Sequence, residues 1–274
     1  MERNTAKRTL EKLLSVCICL CMLGAMLPAQ VFAEEADTAQ TETVQDTAPK
    51  DTVHLSSADD LIQLAKNCRL DSWSQNRTVV LEADVDLSSV DFNGIPSFGG
   101  TWEGQNHAIT GLSLSQDGSV QGLFRYVQQG ALVRDMTVKG RIKPGGTRAS
   151  VGGIAGSNAG TIENCAFDGV VSGTSQIGGI AGVNTVKGSI NGCTVSGTVY
   201  GSHFVGGVVG QNDGVAANCT NVASVNTTVS QNEVKLNDLT LDNVLKTEKA
   251  NDVTDAGGIA GNNAGALRAC INRG

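Results

Sequence analysis

Several things are scarce in this sequence, and each scarcity narrows what the chain can be. Proline contributes 4 residues, so the 34 glycines do not mark a collagen-like chain, and 17% charged residues is too low for a disordered one. Aromatics are only 4% and no basic stripe interrupts a net charge of −7. A phosphate-tracking groove with stacking platforms therefore has nothing to be built from, which argues against nucleic acid as a partner. No H-E-x-x-H and no G-x-S-x-G occurs, so zinc-protease and serine-hydrolase chemistry lack their signatures. The apolar run from Leu13 to Leu27 is shorter than the ~20 residues a bilayer-spanning helix needs.

What the chain does have is glycine arranged in a repeat. Four copies read Val151-Gly-Gly-Ile-Ala-Gly-Ser-Asn158, Ile177-Gly-Gly-Ile-Ala-Gly-Val-Asn184, Val205-Gly-Gly-Val-Val-Gly-Gln-Asn212 and Ala256-Gly-Gly-Ile-Ala-Gly-Asn-Asn263. They start 26, 28 and 51 residues apart, and one cysteine follows each, at Cys165, Cys193, Cys219 and Cys270. Self-similarity at this period means stacked coils of an all-β solenoid, in which no coil can bury its apolar face alone. The last gap reads as one period plus an insertion over residues 226–255. Insertions of this kind map to loops on one face, often the face that meets partners, and Leu241, Val244 and Leu245 suggest a short helix there.

Ahead of the repeat the chain divides into three parts. Residues 1–33 read as an export signal: Arg3, Lys7, Arg8 and Lys12 precede the apolar core, and Val31-Phe32-Ala33 offers a small-residue cleavage site. Cys17, Cys19 and Cys21 fall inside that core and are expected to leave with it, so no membrane span is expected after cleavage. Residues 34–52, rich in Glu, Asp, Thr, Gln and Ala, are expected to be a disordered acidic linker, because they bury too little to offset chain entropy. Residues 53–149 read as an N-terminal cap and first irregular coils, and 150–274 as the regular repeats. Ser56 and Ser57 followed by Asp59 and Asp60 mark a helix start, and Leu61, Leu64, Ala65 and Cys68 give it one apolar face. Such a helix would cap the open end of the solenoid.

Phe98 to Leu114 resembles the lead-in segment F-x-G-T-F-D-G-N-G-H-x-I-x-G-L of bacterial surface and secreted proteins that carry GLUG motifs. Gly122-Leu-Phe124 and the Gly-Gly-Ile-Ala-Gly-x-Asn series resemble the GLUG repeats themselves, and the likeness covers about Val53 to Gly274. This sequence departs by placing Trp102-Glu103 and Asn106 where Phe-Asp and Gly are usual. The resemblance implies a right-handed parallel β-helix-like solenoid. Similar proteins are large, exported and often anchored at the cell surface, and similar modules precede the protease domain of immunoglobulin-A-cleaving zinc metalloproteases. A chain stopping partway through a fourth copy is then expected to be an N-terminal fragment of a longer one.

The repeat positions carry the candidate site residues, and each has a structural reading. The pairs Gly152-Gly153, Gly178-Gly179, Gly206-Gly207 and Gly257-Gly258 are expected to allow a bend or a positive φ. Asn158, Asn184, Asn212 and Asn263 share one turn position. A ladder of side-chain amides, with the left-handed backbone asparagine tolerates, is expected there; a glycan-binding row is the alternative and would call for aromatic platforms. The four cysteines recur without C-x-x-C or a recurring histidine, so zinc is not expected. With Cys68 the mature count is five, which cannot pair completely, and buried reduced thiols acting as apolar filler are expected.

Catalysis finds little to work with. Asp84 and Asp86 alternate with Val85 and Leu87, but no third carboxylate or turn glycine completes a calcium loop, so carboxylates bonded to turn amides or solvated are expected. Glu163, Asp168 and Asp213 fall at three different repeat positions, whereas glycoside chemistry needs two carboxylates facing one cleft. His54, His107 and His203 lie far apart. No catalytic residue, metal or cofactor is expected. The expected role is an exported stalk or adhesion surface whose partners would be host or cell-wall glycans or proteins. The alternative is an accessory region of an extracellular zinc metalloprotease or carbohydrate-active enzyme, its catalytic domain lying beyond residue 274.

Overall fold

The computed structural model describes residues 51–146, 148–226 and 255–274, and these wind into a parallel β-solenoid. The export signal, the linker as far as residue 50, and insert residues 227–254 with Leu241, Val244 and Leu245 lie outside the described residues. In the turn that opens the regular repeats the strands are Ala149–Gly152, Ala155–Asn158, Thr161–Glu163 and Ala166–Ser172, separated by two residues each. Each strand pairs in parallel with its counterpart one turn on, so the four positions generate four sheets. Strands this short, broken by glycine, cannot bury a face individually; stacking does it for them.

Register places like over like. One interior column runs Trp102, Val133, Ile162, Ile190 and Ala216, and another Ile109, Val138, Phe167 and Val195. All of these are at most 1% exposed. Phe98, Trp102 and Phe124 fill the first turns, with Trp102 and Phe124 edge-on at a centroid distance of 5.3 Å. The degenerate segment holding Phe124 and Val133 keeps the register of the regular copies, pairing Phe124 with Ala155 and Val138 with Phe167.

Helix α1 (Ala58–Asn67) stands where the sequence puts it. The Ser57 hydroxyl accepts from the Asp60 amide at 3.2 Å, and the Asp60 carboxylate accepts from the Ser57 hydroxyl at 2.7 Å and the Ser56 amide at 3.0 Å. Those bonds, the Ser57 hydroxyl first, hold the Asp60 carboxyl below its ordinary range. Leu61, Leu64 and Cys68 are buried in the core against the first strands.

The stack continues in register across the 51-residue gap. Val205 pairs with Ala256 and Asn212 with Asn263. Asn226 donates its amide to Val199 at 3.0 Å, and Asp255 accepts from the Val205 amide at 2.8 Å. Asn226 and Asp255 therefore lie over Tyr200 and Phe204, which only residues 201–203 connect. Replacing residues 227–254 by the tripeptide Gly-Ser-His is expected to leave the thermal midpoint within about 3 °C of the parent, because loop-closure entropy changes slowly with length. A calorimetric scan checks this; loss of the last turn's cooperative melting would contradict it.

Candidate functional site

The recurring asparagines form a ladder through the interior. Asn158 donates its Nδ2 to Asn184 Oδ1 at 2.8 Å, Asn184 to Asn212 at 2.8 Å, and Asn212 to Asn263 at 2.7 Å. Each of these donors also reaches a backbone carbonyl of the next turn: Ser189, Val215 and Ala266. Asn158, Asn184 and Asn212 are 0% exposed, so a glycan cannot reach them and the row is structural. Their backbone is extended, at the ends of strands, and not left-handed as expected from asparagine's tolerance. Left-handed residues recur at two other positions of the turn: just before the cysteines, at Asn164 (φ 51°), Gly192 (64°), Asn218 (55°) and Ala269 (48°), and just before the Val/Ile-Gly-Gly motif, at Ser150 (58°), Gln176 (59°) and Phe204 (50°). A second ladder escaped the sequence reading: Asn221 donates to Asn272 at 2.7 Å, in the column where earlier turns carry Phe167 and Val195.

The paired glycines serve close approach. None of the eight has a positive φ, which corrects that part of the expectation. A Cβ on Gly153 would overlap the Gly179 carbonyl and the Phe167 ring; on Gly179, the Gly207 carbonyl and Val195; on Gly207, the Gly258 carbonyl and Asn221. A Cβ on Gly152, Gly178 or Gly206 would overlap the carbonyl three residues on, of Ala155, Ala181 or Val209, and on Gly257 that of Ala260. On Gly258 the nearest atoms it would meet are those of the Asn272 side chain. At the other seven backbone lies against backbone, leaving no room for a Cβ.

The cysteines stack at one corner and are free. Each thiol donates to the carbonyl two residues back: Cys165 to Glu163 at 3.3 Å, Cys193 to Asn191 at 3.4 Å, Cys219 to Ala217 at 3.2 Å and Cys270 to Arg268 at 3.5 Å. The left-handed residue before each one turns that carbonyl toward the sulfur. Burial pushes the Cys165 thiol up to about 12 from an ordinary 9.0. A folded pKa above the unfolded one stabilises at pH below about 9, and that contribution is lost as pH rises from about 9 toward 12. The thermal midpoint is therefore expected to be insensitive to this group at neutral pH and to fall in alkali, with the Cys165→Ala variant falling less steeply. Parallel slopes for the two proteins between those pH values would contradict it.

Several charged groups on the exterior are engaged with partners. Asp84 accepts from the Ala108 amide at 2.9 Å and meets His107 Nδ1 at 3.1 Å; these contacts, the amide first, lower its pKa. Asp86 accepts from the Ser88 amide at 2.9 Å. These are bonds to nearby turn amides, as expected. His54 meets Glu82 at 2.6 Å and His203 meets Asp255 at 3.5 Å, each across adjacent turns. Arg134 is held by Glu103 through two bonds of 2.7 and 2.8 Å, with Glu163 3.8 Å away on the following turn. Asp168 accepts from the Ser196 hydroxyl at 2.9 Å, and Asp213 from Gln211. Glu103, Asp135 and Glu163 converge on the one guanidinium of Arg134, which they surround; among the described residues no group of three or more His, Cys, Asp or Glu is placed to hold a metal.

Concavity is found at the capped end. A groove of about 770 Å³ runs between the loop after α1, at Asp71 and Gln75, and the sheet face carrying Ser97, Tyr126 and Ser157. Sequence reasoning missed it, because the loop and the sheet face come from separate turns. Among the described residues no helix is long and apolar enough to cross a membrane.

The fold and its repeat define the class: a parallel β-solenoid built from glycine-rich coils. Residues 147–172 match the family described as the GLUG motif, so the chain carries that motif. It is 30% identical over 128 residues to halomucin of Haloquadratum walsbyi; the match takes in 40% of this chain and 1% of halomucin, so the chain spans a very small part of that relative's length. Among solved structures it is similar to a Bacteroides ovatus protein provisionally named an immunoglobulin A1 protease, with a TM-score of 0.51 and 17% identity over 79% of this chain and 74% of that one. At that identity the likeness establishes shared fold.

Proposed function

We propose that this chain is an exported, non-catalytic β-solenoid segment of a cell-surface protein, acting as a stalk or as a binding surface. The observation that carries the reading is where the repeat's polar residues go. Asn158, Asn184 and Asn212 are buried in a ladder, while the three histidines are each paired with a carboxylate and Glu103, Asp135 and Glu163 are taken up by Arg134. Such a molecule offers a long regular exterior rather than a reaction centre. The GLUG motif and the similarity to halomucin support an extracellular setting.

A second reading makes the same coils an accessory region of an extracellular enzyme; the name given to the Bacteroides ovatus structure is what supports it. Two measurements separate these readings from their failures. A membrane-impermeant biotin reagent applied to intact producing cells should label the chain; labelling only after lysis would refute surface exposure. Purified chain incubated with polysaccharides or immunoglobulin should leave them intact, and turnover would overturn the non-catalytic reading.

A further inference from the structure

Exterior side chains on a solenoid stack in columns, as interior ones do, and one column contains an aromatic whose neighbours are small. Tyr126 pairs with Ser97 on one side and Ser157 on the other. Serine is too short to cover a phenol ring, and Tyr126 is 47% exposed, the one large aromatic among the described residues that is so. It lies in the groove of about 770 Å³ beneath the loop that follows α1.

The wall of this groove is fixed in place. Gln128 donates its Nε2 to the Asp71 carbonyl at 2.8 Å and to Ser97 Oγ at 2.7 Å, while its Oε1 accepts from Gln75 at 2.9 Å. One carboxamide thus ties the loop to the sheet. Arg125 is held beside the tyrosine by the Val120 and Ser119 carbonyls at 3.1 and 3.3 Å. An exposed ring with an amide, a guanidinium and the exposed Asp71 around it suits one kind of ligand. A pyranose stacks its C–H face on the ring, and its hydroxyls bond to planar polar groups. The net charge of −7 disfavours a phosphate polymer.

We propose that the groove around Tyr126 is a saccharide-binding site for an extended glycan chain. This rests on the reading of the chain as a binding surface and names the chemistry of what is bound. Because the loop and sheet are already tied together, little ordering accompanies binding.

The test uses the full chain titrated calorimetrically with hexasaccharides of β-1,4-linked glucose, xylose and N-acetylglucosamine, and with α-linked mannohexaose. At least one is expected to bind. Tyr126→Ala should weaken that binding about tenfold or more with an unchanged thermal midpoint, while Tyr126→Phe stays within about threefold. No binding by any of the four, or equal binding by the alanine variant, overturns the proposal. Adhesion of both wild type and Tyr126→Ala to mucin-coated plates alongside that negative result would leave the binding-surface reading standing and this site refuted.

Discussion

Replacing Asn184 with leucine is expected to destabilise the solenoid by about 4 kcal/mol, the largest effect of any single polar substitution in the repeat. Asn184 accepts from Asn158 and donates to Asn212, Gly188 and Val215 within a fully buried column. Leucine of similar size silences all four contacts at once. It leaves the Asn158 amide without its side-chain acceptor and the Asn212 oxygen without its donor, and each buried group left unpaired costs ~1–3 kcal/mol. Asn263→Leu, at the exposed end of the same ladder, is expected to cost about half as much, about 2 kcal/mol, since only the buried Asn212 amide loses its side-chain acceptor while the contacts of Asn263 itself face water. Chemical denaturation of both variants measures the contrast. Equal losses would mean that the ladder is not the buried, continuous feature described.

Gly179→Val is the second large effect, expected at about 3 kcal/mol or more, or a fall of about 10 °C in thermal midpoint. Its added Cβ meets both Val195 and the Gly207 carbonyl. The valine methyls can shift, but the carbonyl belongs to the next turn's backbone and moves only if the turns part. Alanine at Gly179 should therefore already be costly, because its Cβ alone makes the clash and the φ of Gly179 is not positive. Gly258→Val should be mild by comparison, because the nearest atoms its Cβ would meet belong to the Asn272 side chain and not to backbone. A midpoint for Gly179→Ala equal to that of the parent would contradict this account of the corner.

Much of the stack was legible because the repeat is a translation of one turn. Once Val151, Ile177, Val205 and Ala256 are aligned by sequence, the pairing of Val151 with Ile177 and of Val205 with Ala256 follows. The cap at Ser57 was legible because an N-cap acts locally, through Asp60 three residues on. The backbone state of Asn158 was not. Asparagine's tolerance of positive φ is a propensity, and strand register overrode it; the left-handed backbone falls at two other positions, which Asn164, Gly192, Asn218 and Ala269, and Ser150, Gln176 and Phe204, fill without a common residue type. The Asn221–Asn272 ladder did carry a signal, the shared Cys-x-Asn of the last two turns, hidden because Phe167 and Val195 hold that column earlier. The groove at Tyr126 carried none, since Gln75 and Gln128 meet only through the fold.

The central claim is that the repeat stacks in register and consumes its recurring asparagines in the interior. Hydrogen exchange of the side-chain amides, followed by nuclear magnetic resonance on the ¹⁵N-labelled chain, tests it most directly. The carboxamide protons of Asn158, Asn184 and Asn212 are predicted to exchange far more slowly than those of exposed asparagines such as Asn93, and Asn184→Leu is predicted to release both neighbours together. Fast exchange at all three positions in the folded wild type would contradict it.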